Sequence, residues 1–541
     1  MDNSQNNYYH SSYSGPRSRR SSRRRGRNPF PLLLFAAVFL LLGAGIVFGG
    51  RKLRQNQIVA EADPAGAAAE AGTGSPKGPG VSASGAEIGN PEQGSGAAEL
   101  SGAGSEGGND AGGEGGNEAG NEVGSPQSSE TPAASEGPQS SEGPAASEGP
   151  QASAGTVLSQ AERCFAQYDY EKAMELVRND PETAASEAGQ ALLARCEETI
   201  PTLVRQNPQE ITHVFFHTLI MDPSKAFDGD YKQDDYNEVM TTKSEFEKIM
   251  QSMYDRGYVL VRLHDIAYET DDPENGGKKM VWGDIMLPPG KKAFVCSQDD
   301  VCYYEYMDGD GYAARLVIDD RGKPVNEMVM DDGSISVGSY DMVPLLDDFV
   351  EAHPDFSYRG AKGIVAVTGY NGVFGYRTDD SYAETNPNIE ADKQKVRDMA
   401  QCLRDDGWEL ASHSWGHRNY GEISMEHLRE DNEKWQNRVG NLIGGTDILI
   451  FPFGADIGDW HPYKADNGRF TYLKGSGFRY FCNVDSSQYF VQKGDDYLRQ
   501  GRRNLDGFRM WQDMTVKNRT SDLFNAEEVF DPARPTPVPT Y

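Results

Sequence analysis

From residue 206 onward, short runs rich in β-branched and aromatic residues alternate with amphipathic helical stretches, and this alternation restricts the fold more than any other feature of the chain. The runs are THVFFHTLI, YVLVRL, KAFVCSQ, GIVAVTG, WELASHS, DILIFPFG and FRYFCNV. Helical stretches such as SEFEKIMQSMYDRG and SMEHLREDNEKWQNRVGNLI lie between most of them. Strands joined through helices predict a mainly parallel sheet or barrel, because a parallel neighbour needs a crossover long enough to hold a helix. In such folds ligands bind where the strands end.

The rest of the 541 residues cannot fold this way. Residues 51–155 contain no Phe, Trp or Tyr and consist largely of Gly, Ala, Ser, Glu and Pro, with imperfect repeats such as SSEGPAASEGPQ. That composition buries too little apolar surface to offset its ordering entropy, which predicts a disordered linker. A Gly-rich chain of this length has an r.m.s. span of roughly 55 Å and reaches about 350 Å when stretched. Before it, FPLLLFAAVFLLLGAGIVFGG is an uncharged run long enough to cross a bilayer, so residues 29–50 read as a transmembrane anchor. Arginine is heavier before the run (Arg17, Arg19, Arg20, Arg23, Arg24, Arg25, Arg27) than after it. By the positive-inside rule residues 1–28 are a basic cytoplasmic tail, and the chain is a single-pass cell-membrane protein with its C-terminal domain outside. A cleaved signal peptide is the competing reading, but no clear A-x-A site is present.

Residues 156–205 turn helical and predict a short helical hairpin. The segment AERCFAQYDYEKAMEL looks like the first helix and turn of a tetratricopeptide-type unit. One copy cannot make a repeat array, so a spacer packed on the next domain is expected. The formal net charge of −31 argues against nucleic acid as a partner. Six cysteines are too few and too scattered for a disulfide scaffold, although Cys164 and Cys196 both lie in the predicted hairpin and could bridge.

Three strand ends carry chemistry: Ser297-Gln298-Asp299-Asp300 after KKAFVC, His413-Ser414-Trp415-Gly416-His417 after WELAS, and Phe451-Pro452-Phe453-Gly454 after DILI. A carboxylate and two imidazoles make a facial N,N,O metal site with positions open for water. A second carboxylate beside it can take a proton from that water. The adjacent Asp pair suits both roles, one residue coordinating and its neighbour acting as base.

With SQDDV, HSWGH and IFPFG in this order, residues 210–515 resemble the polysaccharide deacetylases of the nodulation-factor type, carbohydrate esterase family 4. SEFEKIMQSMYDRGYVLVRLHDI and WELASHSWGHRNYGEISMEHLREDNEKW match the wider segments around the first two motifs. The resemblance implies a distorted (β/α)7 barrel over residues 206–517 and metal-dependent N-deacetylation of an N-acetylated polysaccharide. It assigns Asp300, His413 and His417 as ligands of a divalent metal, for which Zn²⁺ is the expected ion, and Asp299 as general base. Pro452, Phe453 and Gly454 become the groove wall that binds substrate.

The chain departs from that pattern in several places. The third-motif arginine, which orients the base, falls on Ile450. A fourth-motif Asp-Trp pair falls near Gln488-Tyr489, and no good L-x-H supplies the general acid. An insertion at about 303–340 contains Asp319-Asp320-Arg321-Gly322, which reads as a hairpin turn and is expected to overhang the groove. His213 and His217 on the first strand read as barrel packing, and residues 518–541 as a Pro-containing tail. Two function classes follow: a metal-dependent deacetylase, or an inactive deacetylase-like barrel that binds glycan.

Overall fold

The computed structural model describes residues 154–540. The basic tail (1–28), the anchor (29–50) and all but the last two residues of the linker (51–155) lie outside the described residues. Among the described residues no helix is long and apolar enough to cross a membrane.

The strands of the main sheet are β1 (Thr212–Phe216), β2 (Tyr258–Leu260), β3 (Lys292–Gln298), β4 (Ile364–Val367), β5 (Glu409–Ser412), β6 (Ile448–Ile450), β7 (Tyr480–Val484), β8 (Val491–Lys493) and β9 (Leu498–Asn504). Seven of them close into a parallel barrel in the order β4-β5-β6-β7-β9-β1-β3, with β3 pairing back to β4. The distortion lies at β3. Its first residues pair with β2, Tyr258 opposite Lys292, while its last pair with β4, Ile364 opposite Ser297. YVLVRL, expected as a barrel strand, is therefore the flanking strand β2. Its place in the ring is taken by LRQGRRN, which is β9. The alternation pattern does not mark β9, because polar Gln500 and Arg502 alternate along the side that meets His213 and Asp299.

The N-terminal helical segment is longer than a hairpin. It comprises α1 (Ala154–Ala166), α2 (Tyr170–Asn179), α3 (Pro181–Ala185) and α4 (Glu187–Thr199). Asp169, Asp180 and Ser186 each accept a hydrogen bond from a backbone N–H three residues on, which satisfies otherwise orphaned helix donors and sets the breaks between helices. The segment packs as a spacer. Its Ala161, Tyr168, Ala173, Val177 and Leu192 share one apolar cluster with Ile211, Ala293, Ile364, Ile448, Tyr480 and Leu498, the residues at or next to the starts of barrel strands. The helices thus close the N-terminal mouth of the barrel. The Tyr168 hydroxyl donates to the Asp355 carbonyl at 2.7 Å and fixes the seating.

Outside the barrel lie α5 (Lys243–Asp255), α6 (Met342–Ala352), α7 (Ile389–Asp405), α8 (Met425–Trp435), α9 (Gly468–Gly475) and α10 (Gly507–Thr515). In α5 a capping box sets the start: the Thr242 hydroxyl accepts from Glu245 N, and the Glu245 carboxylate accepts from Thr242 N. Phe246, Ile249, Met250 and Met253, spaced by one helical turn, pack on Phe216, Leu260 and Phe294. Full burial of side chains of this size contributes about 1.5–3 kcal/mol each.

The insertion forms an antiparallel three-stranded sheet of Arg315–Ile318, Pro324–Val329 and Ile335–Gly338, with the expected turn at 319–322. Its three strands do not line the groove, whereas Tyr304, at the start of the insertion, donates to Asp300. The sheet packs on the outside against α6 and α7, because its one apolar face, with Leu316, joins the outer helical layer. The C-terminal segment is not a free tail either. Leu523, Phe524, Val529 and Val538 are buried, and Arg534 forms a two-pronged ion pair with Glu245 of α5 at 2.6 and 2.7 Å. All six cysteines are free thiols, so Cys164 and Cys196 do not bridge.

Candidate metal centre

The site sits at the C-terminal ends of the barrel strands, in a cleft of about 510 Å³. Where β3 ends, Asp299 N donates to the Phe216 carbonyl at 2.9 Å and prolongs the ladder with β1 by one residue. Asp300 then turns to φ +61°, the left-handed region that L residues seldom occupy. This reversal sends two adjacent carboxylates to different partners.

Asp299 faces Arg502 of β9. The guanidinium donates from Nη1 to Oδ1 at 2.6 Å and from Nη2 to Oδ2 at 2.9 Å. Burial alone would raise the Asp299 carboxyl, but Arg502, assisted by His413 and His217, holds it down at about 2. A carboxylate has about four lone-pair sites, so two remain beyond the Arg502 fork, and Asp299 lines the cleft.

Arg502 is itself held by a polar chain inside the barrel. Its Nη1 also donates to Ser297 Oγ at 3.2 Å, Ser297 Oγ meets His213 Nε2 at 2.9 Å, and His213 Nδ1 meets Gln500 Oε1 at 3.1 Å. Gln500 Nε2 ends the chain on the Ile211 carbonyl at 2.9 Å. Every link is satisfied when His213 is neutral and carries its proton on Nδ1. Burial and the nearby Arg502 cation both push its pKa well below the ordinary histidine value, which keeps it in that state. His213 is barrel packing, as the sequence implied, but packing of a polar kind.

Asp300, His413 and His417 converge. Their donor atoms all lie within 4.8 Å of one another. His413 Nε2 is 3.9 Å from Asp300 Oδ1, and His417 Nε2 is 3.6 Å from Asp300 Oδ2. Two ligands about 2.1 Å from a tetrahedral ion lie roughly 3.4 Å apart, so the set needs little movement to hold one. The surroundings fit the same use. His413 Nδ1 is 2.9 Å from the Ile450 carbonyl, to which it donates, and this leaves Nε2 with a lone pair toward Asp300. Tyr304 donates to Asp300 Oδ1 at 2.5 Å. Burial takes His417 down to about 4 against the pull of Asp300, so its imidazole is neutral at ordinary pH.

The loop between the two histidines is pinned from α8. Asp431 accepts from Trp415 N at 2.9 Å, Gly416 N at 2.8 Å and the Tyr420 hydroxyl at 2.8 Å. Ser414 and His417 both have positive φ, +61° and +50°, and Asp431 braces that loop.

The third motif divides. Phe453 and Gly454 line the cleft, and the Phe453 ring lies 4.5 Å from the His417 ring. Pro452 is buried. A Cβ at Gly454 would come within 2.4 Å of Val484 Cβ, so the close approach requires glycine there. Ile450 contributes its carbonyl to His413, and the arginine that meets Asp299 is Arg502 of β9. Gln298 does not enter the site: its Nε2 donates to both Asp341 oxygens at 2.8 Å.

Sequence reasoning missed two groups. The first is Arg502, hidden in a strand too polar to look like one. The second is His217, which lines the cleft just past the end of β1 rather than packing inside the barrel. Its Nδ1 is 3.0 Å from the Val239 carbonyl, to which it donates, leaving Nε2 for the cleft.

No protein-family model and no curated protein matches the chain. Among solved structures it is similar to the Streptococcus pyogenes deacetylase PplD in complex with acetate, at 12% identity and a TM-score of 0.30, over 60% of this chain and 100% of that one. It is also similar to a polysaccharide deacetylase from Bacillus cereus, at 12% identity and a TM-score of 0.30, over 60% of this chain and 70% of that one. Scores this low carry no functional weight, and the chemistry has to come from the residues of this cleft. The structural neighbours named are thus deacetylases of low sequence identity to this chain.

Proposed function

We propose that this cleft hydrolyses the N-acetyl groups of a polysaccharide in a metal-dependent reaction. The supporting observation is the division of labour between two adjacent carboxylates: Asp300 converges with His413 and His417, while Asp299 is held as an anion beside them by Arg502. A divalent ion, with Zn²⁺ the expected one, would be held by Asp300, His413 and His417. When bound, it would polarise the amide carbonyl and acidify a water molecule.

The chain's own residues account for the proton movements. Asp299 accepts a proton from the attacking water, whose oxygen bonds to the acetyl carbon. As the C–N bond breaks, the leaving nitrogen needs a proton. His217, anchored through Nδ1 to the Val239 carbonyl, lines the same cleft and delivers that proton from Nε2. Free amine and acetate result. Phe453 and Gly454 form the wall against which the sugar lies, with buried Pro452 supporting the turn.

Acetate release from N-acetylated chito-oligosaccharides by the zinc-loaded chain tests this reading. Release that disappears on chelation and returns with zinc is expected. Binding of the oligosaccharide without release of acetate would favour the other reading, an inactive glycan-binding barrel.

The arginine-flanked apolar run at 29–50 supports placing this domain outside the cytoplasm on a single-pass anchor. A reporter fused after residue 60 is expected to be active outside and to stay with membranes. Release of the mature protein into the medium would favour a cleaved signal.

A further inference from the structure

One cation of the cleft has no task in that chemistry. Arg509 stands in the first turn of α10 and lines the same cleft as Asp299, His413 and His417. Its side chain is 12% exposed. Among the described residues its guanidinium makes no hydrogen bond and lies 5.4 Å over the ring of its neighbour Phe508. The nearest ion-pair partner is Asp513, whose Oδ1 lies 3.8 Å from Nη1, beyond hydrogen-bond reach. Asp513 is occupied elsewhere: it accepts from Arg519 N at 3.0 Å, Thr520 N at 3.1 Å and the Thr520 hydroxyl. Asp506, which caps α10, is likewise used by Arg509's own backbone N–H at 2.7 Å and by Asn504 Nδ2 at 2.7 Å.

Three other interior arginines behave differently. Arg502 and Arg534 each fork onto a carboxylate, and Arg503 forks onto Asp522 at 2.7 and 2.9 Å. A guanidinium withdrawn from water without such a partner is costly. Burial lowers the Arg509 pKa, with Asp506 and Asp513 opposing but not cancelling the effect. In a chain of net charge −31, a neutral sugar needs no such cation, whereas an anion approaching this cleft does.

We propose that Arg509 recognises an anionic substituent, a carboxylate or a phosphate, on the acetylated glycan whose acetamide lies at the metal centre. The planar fork suits either group, because both offer paired oxygens. This rests on the deacetylase reading and names the substrate class: an acidic rather than a neutral N-acetylated glycan.

The test compares acetate release by the full-length zinc-loaded chain from three N-acetylated oligosaccharides that are neutral, carboxylate-bearing or phosphate-bearing. The quantity read is the ratio of kcat/KM for each anionic substrate to that for the neutral one. The wild-type ratio is expected to be tenfold or more for at least one anion, which identifies the source. Arg509→Gln is expected to bring that ratio to about one, chiefly through KM. Arg509→Lys, which keeps the charge but not the fork, should fall between. A wild-type ratio near one, or a ratio unchanged in Arg509→Gln, overturns the proposal. If no substrate releases acetate, the deacetylase reading fails, and calorimetric binding of the same three sugars decides the anion preference alone. Thermal unfolding of each variant separates misfolding from lost recognition.

Discussion

Arg502 reaches across the barrel from β9 to grip Asp299, at the end of β3, through two hydrogen bonds of 2.6 and 2.9 Å. Both side chains are buried, and the pair is continuous with a polar chain through Ser297, His213 and Gln500. A charge pair in a closed barrel is worth keeping only when the geometry is good and the remaining donors are satisfied. Here one Arg502 atom, Nε, is buried without a partner, while both terminal nitrogens are used. The arrangement fixes the direction and the ionisation of the carboxylate that faces His413 beside Asp300. Arg502 is therefore a positioning residue, and it acts through Asp299.

Arg502→Met should leave Asp299 buried without its main counter-charge. Removing one partner of a buried pair costs about 3–5 kcal/mol of stability, readable by denaturant unfolding. In the wild type the pair's contribution is fully present above the ordinary carboxylate value and is lost as pH falls through about 2, because the folded-state pKa is depressed. In the variant burial raises the Asp299 pKa, so the acid limb of the deacetylation rate profile should move to higher pH. A uniform loss of rate with an unmoved acid limb would assign Arg502 a purely structural role.

The two motifs that bring Asp300, His413 and His417 together were legible in the sequence for a physical reason. Asp299-Asp300 and His413–His417 each need several special residues within a few positions, after an apolar strand that announces itself. Arg502 was not legible, because its contribution depends on which strand closes the ring. Strand β9 carries Arg499, Gln500, Arg502 and Arg503 in seven residues and lacks apolar alternation. His217 was misread for a related reason. It shares a strand with buried His213, but it stands past the last paired residue, Phe216, where the chain leaves the ladder. The insertion's turn was read correctly from Asp319 to Gly322, yet the place of its strands was not, since local turn chemistry says nothing about which face of a barrel a hairpin covers.

Asp431→Ala should loosen the loop that carries both histidines. Three hydrogen bonds to a buried carboxylate disappear, and Trp415 N and Gly416 N lose their acceptor. A cost of about 3 kcal/mol in stability is expected, with metal affinity reduced about 10- to 100-fold, as for other residues that orient ligands indirectly. Unfolding with and without zinc measures both effects. Full metal affinity in the variant would show that α8 does not brace the site.

At the other end of the barrel His264 lies between Glu409 and Asp447, with Nε2 3.1 Å from Asp447 Oδ1. Burial alone would lower its pKa, but Glu409 and Asp447 outweigh this and raise it to about 10. A raised folded-state pKa gives a contribution that is fully present below the ordinary histidine value and is lost as pH rises through about 10. The side chain is 38% exposed, so solvent screens the pair and the effect is modest. The difference in Tm between wild type and His264→Gln should be largest near about pH 6 and shrink steadily above it. A difference that grows with pH would contradict the assignment.

The last expectation separates the two carboxylates. His413→Ala and His417→Ala should each abolish stoichiometric zinc binding, since each leaves two of the three converging donors. Asp300→Asn should weaken binding in the same way, because its carboxylate faces both imidazoles. Asp299→Asn should retain the metal, because Asp299 is paired with Arg502 and stands outside the converging set of Asp300, His413 and His417. Its rate should nonetheless fall by about 10²–10⁴, the usual contribution of a positioned acid–base group. Proton competition supports the same division. His417 is held near 4, so its protonation should begin to displace zinc only as pH falls toward that value. Zinc content after dialysis at a series of pH values, measured beside the rate, resolves the roles. Loss of metal in Asp299→Asn with retention in Asp300→Asn would reverse the assignment of base and ligand. Absence of zinc from the wild-type chain would remove the metal-dependent reading and leave the glycan-binding one.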